Sequence, residues 1–172
     1  MPAPTQQRVR PSPSPSKSTV QHREEETTPD GGTIELDNYP EIIDLTVFEQ
    51  ILEMDDDPED RDFSKDIVSG FFEQAEQTLE KMNQSLVQSN LPELSSLGHF
   101  LKGSSATLGL VKVQKSCEKI QNFGKRLDAS GNRDEPDDAK SLDNIRSTLG
   151  DVDEEYHEAK RLLQQFFKTE GE

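Results

Sequence analysis

The sequence predicts an all-α protein, an up-and-down antiparallel four-helix bundle with a short additional N-terminal helix and a disordered N-terminal tail. Apolar residues recur at three- and four-residue steps in four long segments, and no segment shows the alternation of a β-strand. The front of the 172-residue chain lacks this periodicity, and six of the ten prolines fall within residues 1–30. We therefore expect a disordered Pro/Ser-rich tail over residues 1–33 and a helical-bundle domain over residues 34–172.

The first two predicted helices flank an acidic turn. A short helix follows Leu45-Thr46, and Thr46 with Glu49 matches the capping-box pattern. It ends in Asp55-Asp56-Asp57-Pro58, and the second helix begins near Phe63. Its apolar stripe consists of Ile67, Phe71, Phe72, Ala75, Leu79, Met82 and Leu86.

Three more helices follow. Asn90-Leu91-Pro92 starts the third, Gly109 ends it, and the fourth leads into a polar connection over residues 129–138. The last helix has the most regular stripe, made of Leu142, Ile145, Leu149, Val152, Tyr156, Ala159, Leu163 and Phe166. Such a stripe also suits a coiled-coil dimer. Because the other helices have apolar faces that must be buried, we expect this stripe to face the interior of a monomer.

Charge and composition narrow the classes of partner. The net charge of −16 lies entirely in residues 31–172, which hold 15 basic and 31 acidic side chains. Such a domain is repelled by nucleic acid and by anionic membranes, so we predict neither as a partner. The single cysteine, Cys117, excludes an internal disulfide, and no apolar run reaches the ~20 residues of a membrane span or resembles a secretory signal. We expect a cytoplasmic protein that also enters the nucleus.

Metal and nucleotide sites are not predicted. Glu154 and His157 form one Glu-x-x-His pair, but a di-iron bundle needs two such pairs and two further glutamates. The residues after Asp55 do not fit a calcium loop, since Asp60 stands at the position of its turn glycine and Asp66 at that of its glutamate. No Gly-rich phosphate-binding motif is present, so we expect no ATP-dependent kinase activity.

The third helix carries the candidate site. Lys102 and Gly103 follow His99 by three and four positions, so the three residues share one helix face. A neutral imidazole is a nitrogen nucleophile, and a lysine one turn away balances the charge of a phosphoryl group. Glycine costs about 1 kcal/mol relative to alanine inside a helix, and here it leaves room for another protein to approach. The cluster, rather than the histidine alone, indicates a function.

The segment His99-Phe100-Leu101-Lys102-Gly103-Ser104-Ser105 resembles the His-x-Leu-Lys-Gly-Ser-Ser signature of histidine-containing phosphotransfer (HPt) domains. Cys117-Glu118-Lys119-Ile120-Gln121-Asn122-Phe123-Gly124-Lys125 is similar to the matching helix of fungal members, which act as phosphorelay intermediates. So is Met54-Asp55-Asp56-Asp57 followed by Asp62-Phe63-Ser64-Lys65. The resemblance covers residues 45–167 and implies a bundle whose exposed histidine carries phosphate between receiver domains.

The resemblance also implies roles for individual residues. His99 would be the phosphoryl carrier, Lys102 would stabilise the phosphate, and Gly103 would allow close approach. Gln121 would orient the imidazole from the adjacent helix. The partners implied are receiver domains of a hybrid histidine kinase and of response regulators. No cofactor is expected on this chain, since the receiver would bring magnesium.

A docking surface for receivers is implied as well. Its apolar residues would be Ile51, Met54, Phe63, Ile67 and Phe100, with Asp57 on its polar rim. Core packing is the alternative for Phe63 and Ile67, which also fit the buried stripe of their helix. Ile51 and Met54 are the better candidates, because they lie on a short helix with little to bury. The turn Pro58-Glu59-Asp60-Arg61 is lengthened relative to fungal members, which leaves open which aspartate faces a partner.

Two other functions fit the same residues. One is a non-catalytic interaction bundle in which His99 is only a surface residue. The other is the homodimeric dimerisation element of a histidine kinase, although no ATP-binding domain follows it in the sequence.

Overall fold

The computed structural model describes residues 34–169, so the predicted disordered tail over residues 1–33 lies outside the described residues. A 3-10 helix over Leu36–Asn38 precedes the α-helices of this part of the chain. These are α1 (Leu45–Leu52), α2 (Asp62–Val87), α3 (Leu91–Leu108), α4 (Val111–Gly124) and α5 (Asp138–Thr169). Helices α2 to α5 contact one another in a ring, α2 with α3, α3 with α4, α4 with α5 and α5 with α2. The predicted all-α four-helix bundle with a short preceding helix is confirmed.

The last helix packs its stripe inward. From Ile145 to Phe166 each residue of the predicted stripe is buried, and Leu142 is half-buried. Because the bundle already covers this face, it is not available as a coiled-coil seam. No helix within residues 34–169 is long and apolar enough to cross a membrane.

A polar cluster fastens α5 to α2. The Tyr156 hydroxyl donates to Glu76 Oε1 at 2.8 Å, and Lys160 Nζ donates to the same oxygen at 2.6 Å. Hydrogen bonds from Lys160 and Tyr156 lower the pKa of Glu76 below its usual value. The carboxylate is therefore the form that the folded bundle prefers.

Side chains at the helix ends explain where the helices begin. Asp44 caps α1, because its Oδ1 accepts from the Thr46 backbone N–H at 3.1 Å and from the Thr46 hydroxyl at 2.7 Å. The predicted capping box is therefore wrong, since Thr46 lies inside the helix. Asn90 caps α3 by accepting from the Glu93 backbone N–H at 3.1 Å. Gly109 ends α3, as predicted, and it adopts a left-handed conformation with φ of 72°.

Helix α1 closes one end of the bundle. The Asp44 backbone N–H donates to the carbonyl of Gly109 at 2.7 Å, which ties the start of α1 to the turn between α3 and α4. Phe48 is fully buried, and its ring packs edge-on against Phe166 with centroids 6.1 Å apart. Ile51 is also buried, with 8% of its surface exposed. This short helix therefore has a core-facing side, contrary to the expectation that it had little to bury.

Candidate functional site

The site rests on the close approach of α3 and α4. A Cβ added to Gly98 would lie 2.9 Å from the Gln121 backbone nitrogen, and one added to Gly124 would lie 2.6 Å from the Ser95 backbone nitrogen. The Ser95 hydroxyl donates to the Gln121 carbonyl at 3.0 Å. Because only glycine fits at both contacts, the antiparallel register of the two helices is set with Gly98 opposite Gln121. His99 follows Gly98, so it lies one residue from this contact in the sequence.

His99 lies on the outer face of α3. Its side chain is exposed, whereas its neighbours Gly98 and Leu101 are buried against the bundle. Lys102 follows one turn later and is half-buried. The imidazole is therefore presented to solvent on α3, where a second protein can reach it.

Gly103 borders open space. A Cβ built at this position meets nothing within 4 Å, so no packing inside the chain requires glycine there. Glycine in a helix interior costs about 1 kcal/mol relative to alanine. No contact of the described residues therefore accounts for a glycine here, and its predicted use as room for an approaching molecule stays a prediction.

Two groups from α4 stand beside these residues. Lys102 Nζ lies 3.6 Å from Glu118 Oε1, which makes an ion pair but is too long for a hydrogen bond. Gln121 is half-buried and its backbone lies against Gly98. In the described part of the chain its side chain makes no hydrogen bond with His99, so its orienting role stays a prediction. No sequence pattern assigned a role to Glu118, although this residue precedes Gln121 by about one helical turn.

The predicted docking residues divide into exposed and buried ones. Met54 is 61% exposed, Phe63 50% and Phe100 44%, and these three are among the five exposed large hydrophobic residues of the described chain. Ile67 is half-buried and packs against the core. Ile51 belongs to the core, so the expectation that its helix has little to bury is wrong, and its docking role stays a prediction. The physical reason is that α1 uses Ile51 to cover the end of the bundle.

One face of α2 links the exposed phenylalanine to the histidine helix. Phe63, Ile67, Gly70 and Gln74 recur at steps of four, three and four residues, so they share one side of the helix. A Cβ at Gly70 meets nothing within 4 Å. The Ser104 hydroxyl donates to Gln74 Oε1 at 3.3 Å, which joins this face to α3 next to Gly103. We call this face, with Met54 and Phe100, the apolar docking face.

The acidic turn before α2 is held by Asp55. Its carboxylate, 1% exposed, accepts from the Ser64 backbone N–H at 3.0 Å and lies 3.7 Å from Arg61 Nη1. Burial raises the pKa of Asp55, but the hydrogen bonds from Ser64 and the charge of Arg61 outweigh it, so the pKa is lowered. Asp57 is exposed and its Oδ1 accepts from the Glu59 backbone N–H at 3.0 Å. The turn therefore presents Asp57 to solvent, where its predicted place on the rim stays a prediction.

The remaining candidate ligands stand apart. Glu154 and His157 are exposed on α5, and His157 Nδ1 lies 2.7 Å from the Asp153 carbonyl oxygen. Within residues 34–169 no group of three or more histidine, cysteine, aspartate or glutamate side chains is arranged to hold a metal ion. Cys117 is buried behind the histidine helix, and burial raises the pKa of its thiol to about 12.

Comparisons with known proteins agree with this geometry. The Hpt domain family model matches residues 66–166, and the chain belongs to the Hpt domain family. Multistep phosphorelay regulator 1 of Schizosaccharomyces pombe is 46% identical over 134 residues, which are 78% of this chain and 45% of that protein. The chain spans about half the length of the curated fungal relatives it matches, between 45% and 64%.

Solved structures share the fold. The crystal structure of yeast Ypd1p matches with a TM-score of 0.64 and 33% identity, covering 75% of this chain and 96% of that one. A co-crystal structure of the Saccharomyces cerevisiae histidine phosphotransfer signalling protein Ypd1 holds the receiver domain of its downstream response regulator Ssk1. The matched chain of this co-crystal structure has a TM-score of 0.50 and 31% identity, with 73% of this chain and 90% of that one covered.

Proposed function

We propose that this chain is a phosphorelay intermediate. His99 accepts a phosphoryl group from the aspartate of a receiver domain in a hybrid histidine kinase and passes it to the aspartate of a response regulator. The observation that carries this proposal is the exposed imidazole of His99 beside Lys102 and the open space at Gly103. Support comes from the co-crystal structure of the related Ypd1 with a receiver domain.

The transfer step needs little covalent chemistry from this chain. The lone pair of one imidazole nitrogen attacks the phosphorus of the aspartyl phosphate, a P–N bond forms, and the P–O bond to the aspartate breaks. The aspartate leaves as a carboxylate, and the ring loses the proton on its other nitrogen to solvent. Positioning and charge balance dominate such reactions. Lys102 supplies positive charge one helical turn from His99, and the open space at Gly103 allows the two proteins to approach.

The chemistry that this chain does not supply is assigned to its partner. The receiver would bring magnesium, and this chain would carry the phosphoryl group without ATP-dependent kinase activity of its own. The monomeric state and the cytoplasmic and nuclear location are further predictions. Light scattering of the purified protein tests the first, and imaging of a fluorescent fusion tests the second.

The decisive experiment follows the label. The protein is incubated with a receiver domain carrying ³²P on its aspartate, and we expect acid-labile, base-stable label on the wild type. His99→Gln should take up none. His157→Gln is the matched control, because His157 is also an exposed helical histidine but lies on α5. The proposal fails if wild type remains unlabelled or if His99→Gln is labelled as well as wild type; receiver binding without labelling would identify a docking bundle.

A second experiment tests the apolar docking face. Phe63→Asp places a charge where we expect apolar contact with the receiver, so the affinity measured by calorimetry should fall. Val87→Asp is the control, since Val87 is 86% exposed at the far end of α2. Ile51→Asp is unsuitable because it would bury a charge in the core. Equal affinities of the Phe63 and Val87 variants would remove the face from the proposal.

A further inference from the structure

Glu118 is placed to control Lys102. Lys102 follows His99 by one turn of α3, and Glu118 precedes Gln121 by one turn of α4. The glycine contacts that set Gly98 opposite Gln121 also set Lys102 opposite Glu118. As a result Lys102 Nζ lies 3.6 Å from Glu118 Oε1, and Glu118 is its ion-pair partner within residues 34–169.

The contact is suited to exchange. At 3.6 Å the Lys102 ammonium is attracted to the carboxylate but donates no hydrogen bond to it. The side chain of Glu118 is 57% exposed, so water readily replaces Lys102 as its neighbour. A phosphoryl group brings a charge of about −1.5 to −2 and three strong acceptor oxygens, which makes it a better partner for the ammonium.

We infer that Glu118 is a positioning residue that holds Lys102 in the unphosphorylated protein and competes for it with the phosphoryl group on His99. This inference rests on the proposed function. Because of this competition the phosphorylated protein is less stable than it would be if Lys102 had no carboxylate partner. The phosphoryl group is therefore transferred more readily to the next receiver. Removing the Glu118 carboxylate should therefore favour phosphorylated His99.

The experiment measures the equilibrium between a phosphorylated receiver and this protein. Glu118→Gln should raise the equilibrium fraction on His99 by about two- to five-fold, the range expected for an exposed ion pair. The gain should shrink in 1 M salt, where charges are screened over about 3 Å. Glu154→Gln makes the same charge change on an exposed part of α5 and should match wild type.

A double variant separates control through Lys102 from direct repulsion. If Glu118 acts through Lys102, then Glu118→Gln has no effect in a Lys102→Gln background. An equal effect in both backgrounds would overturn the inference, because the carboxylate would then repel the phosphoryl group directly. Equal equilibria for Glu118→Gln and wild type would overturn it too. Unchanged thermal unfolding of Glu118→Gln would show that the effect is not a loss of fold.

A receiver-independent readout distinguishes this inference from the proposed function. Phosphoramidate phosphorylates histidine chemically, and the half-life of the phosphohistidine is then followed in wild type and Glu118→Gln. We expect a half-life about two- to five-fold longer in the variant, again from the size of an exposed ion pair. If receivers fail to label wild type but this difference is found, the phosphorelay role fails while the control of Lys102 stands. Equal half-lives contradict the inference alone.

Discussion

Substitution of Gly103 separates stability from function. Gly103→Ala adds one methyl group, and a Cβ there meets nothing within 4 Å, so no contact in the fold is lost or strained. The helix then gains the propensity difference between the two residues, about 0.8–1.0 kcal/mol. For a chain of this size that corresponds to a rise in Tm of roughly 2–4 °C. Urea unfolding and calorimetry measure the two quantities.

The same substitution should slow phosphoryl uptake. A side chain one turn from His99 occupies the space through which we expect the receiver to approach, and a larger one occupies more of it. Gly103→Ala should therefore reduce the uptake rate, and Gly103→Gln should reduce it further. Gly150→Ala is the matched control, because a Cβ at Gly150 on α5 also meets nothing within 4 Å. It should gain the same stability and transfer at the wild-type rate.

Two outcomes would refute this reasoning. A loss of stability in Gly103→Ala would show that the position does require glycine for the fold. A wild-type uptake rate in Gly103→Gln would show that the open space is not used by the partner.

Three further predictions concern the bundle itself. Gly124→Ala should destabilise the protein by about 1–3 kcal/mol in urea unfolding, because its Cβ would lie 2.6 Å from the Ser95 backbone nitrogen; wild-type stability would contradict the tight contact. Burial raises the pKa of Glu155 above its usual 4.5, so the folded state binds more protons than the unfolded state and the wild type loses stability as pH rises from 4.5. This loss should be smaller in Glu155→Gln. Equal pH profiles of the two proteins would exclude Glu155 as its cause. The pKa of Glu76 is lowered chiefly by the hydrogen bond from Lys160, so the contribution of Glu76 to stability is present above pH 4.5 and is lost as pH falls below it. Glu76→Gln should therefore flatten the acid side of a plot of unfolding free energy against pH. An unchanged acid side would contradict the pairing of Glu76 with Lys160.

Sequence patterns predicted poorly which of the docking residues are buried and which are exposed. Phe63 fits the apolar stripe of α2, yet it is 50% exposed, whereas Ile51 on the short α1 is 8% exposed. A periodic pattern identifies which residues share a helix face, but it does not say how far the neighbouring helix extends over that face. Phe63 is exposed although Ser64 beside it is fully buried, while α1 lies across the end of the bundle and packs Phe48 against Phe166.

Local signals, by contrast, were sufficient for the framework. The stripe of α5, the Asn90 cap and the left-handed Gly109 depend on residues within a few positions of each other, so the sequence by itself determined the helices and the face that carries His99, Lys102 and Gly103. Only the tertiary structure decided that Gly98 and Gly124 bring α4 against α3, and that Glu118 thereby faces Lys102. The reason is physical: contacts between helices depend on the distance and register at which two backbones meet, and no spacing along one helix encodes either quantity.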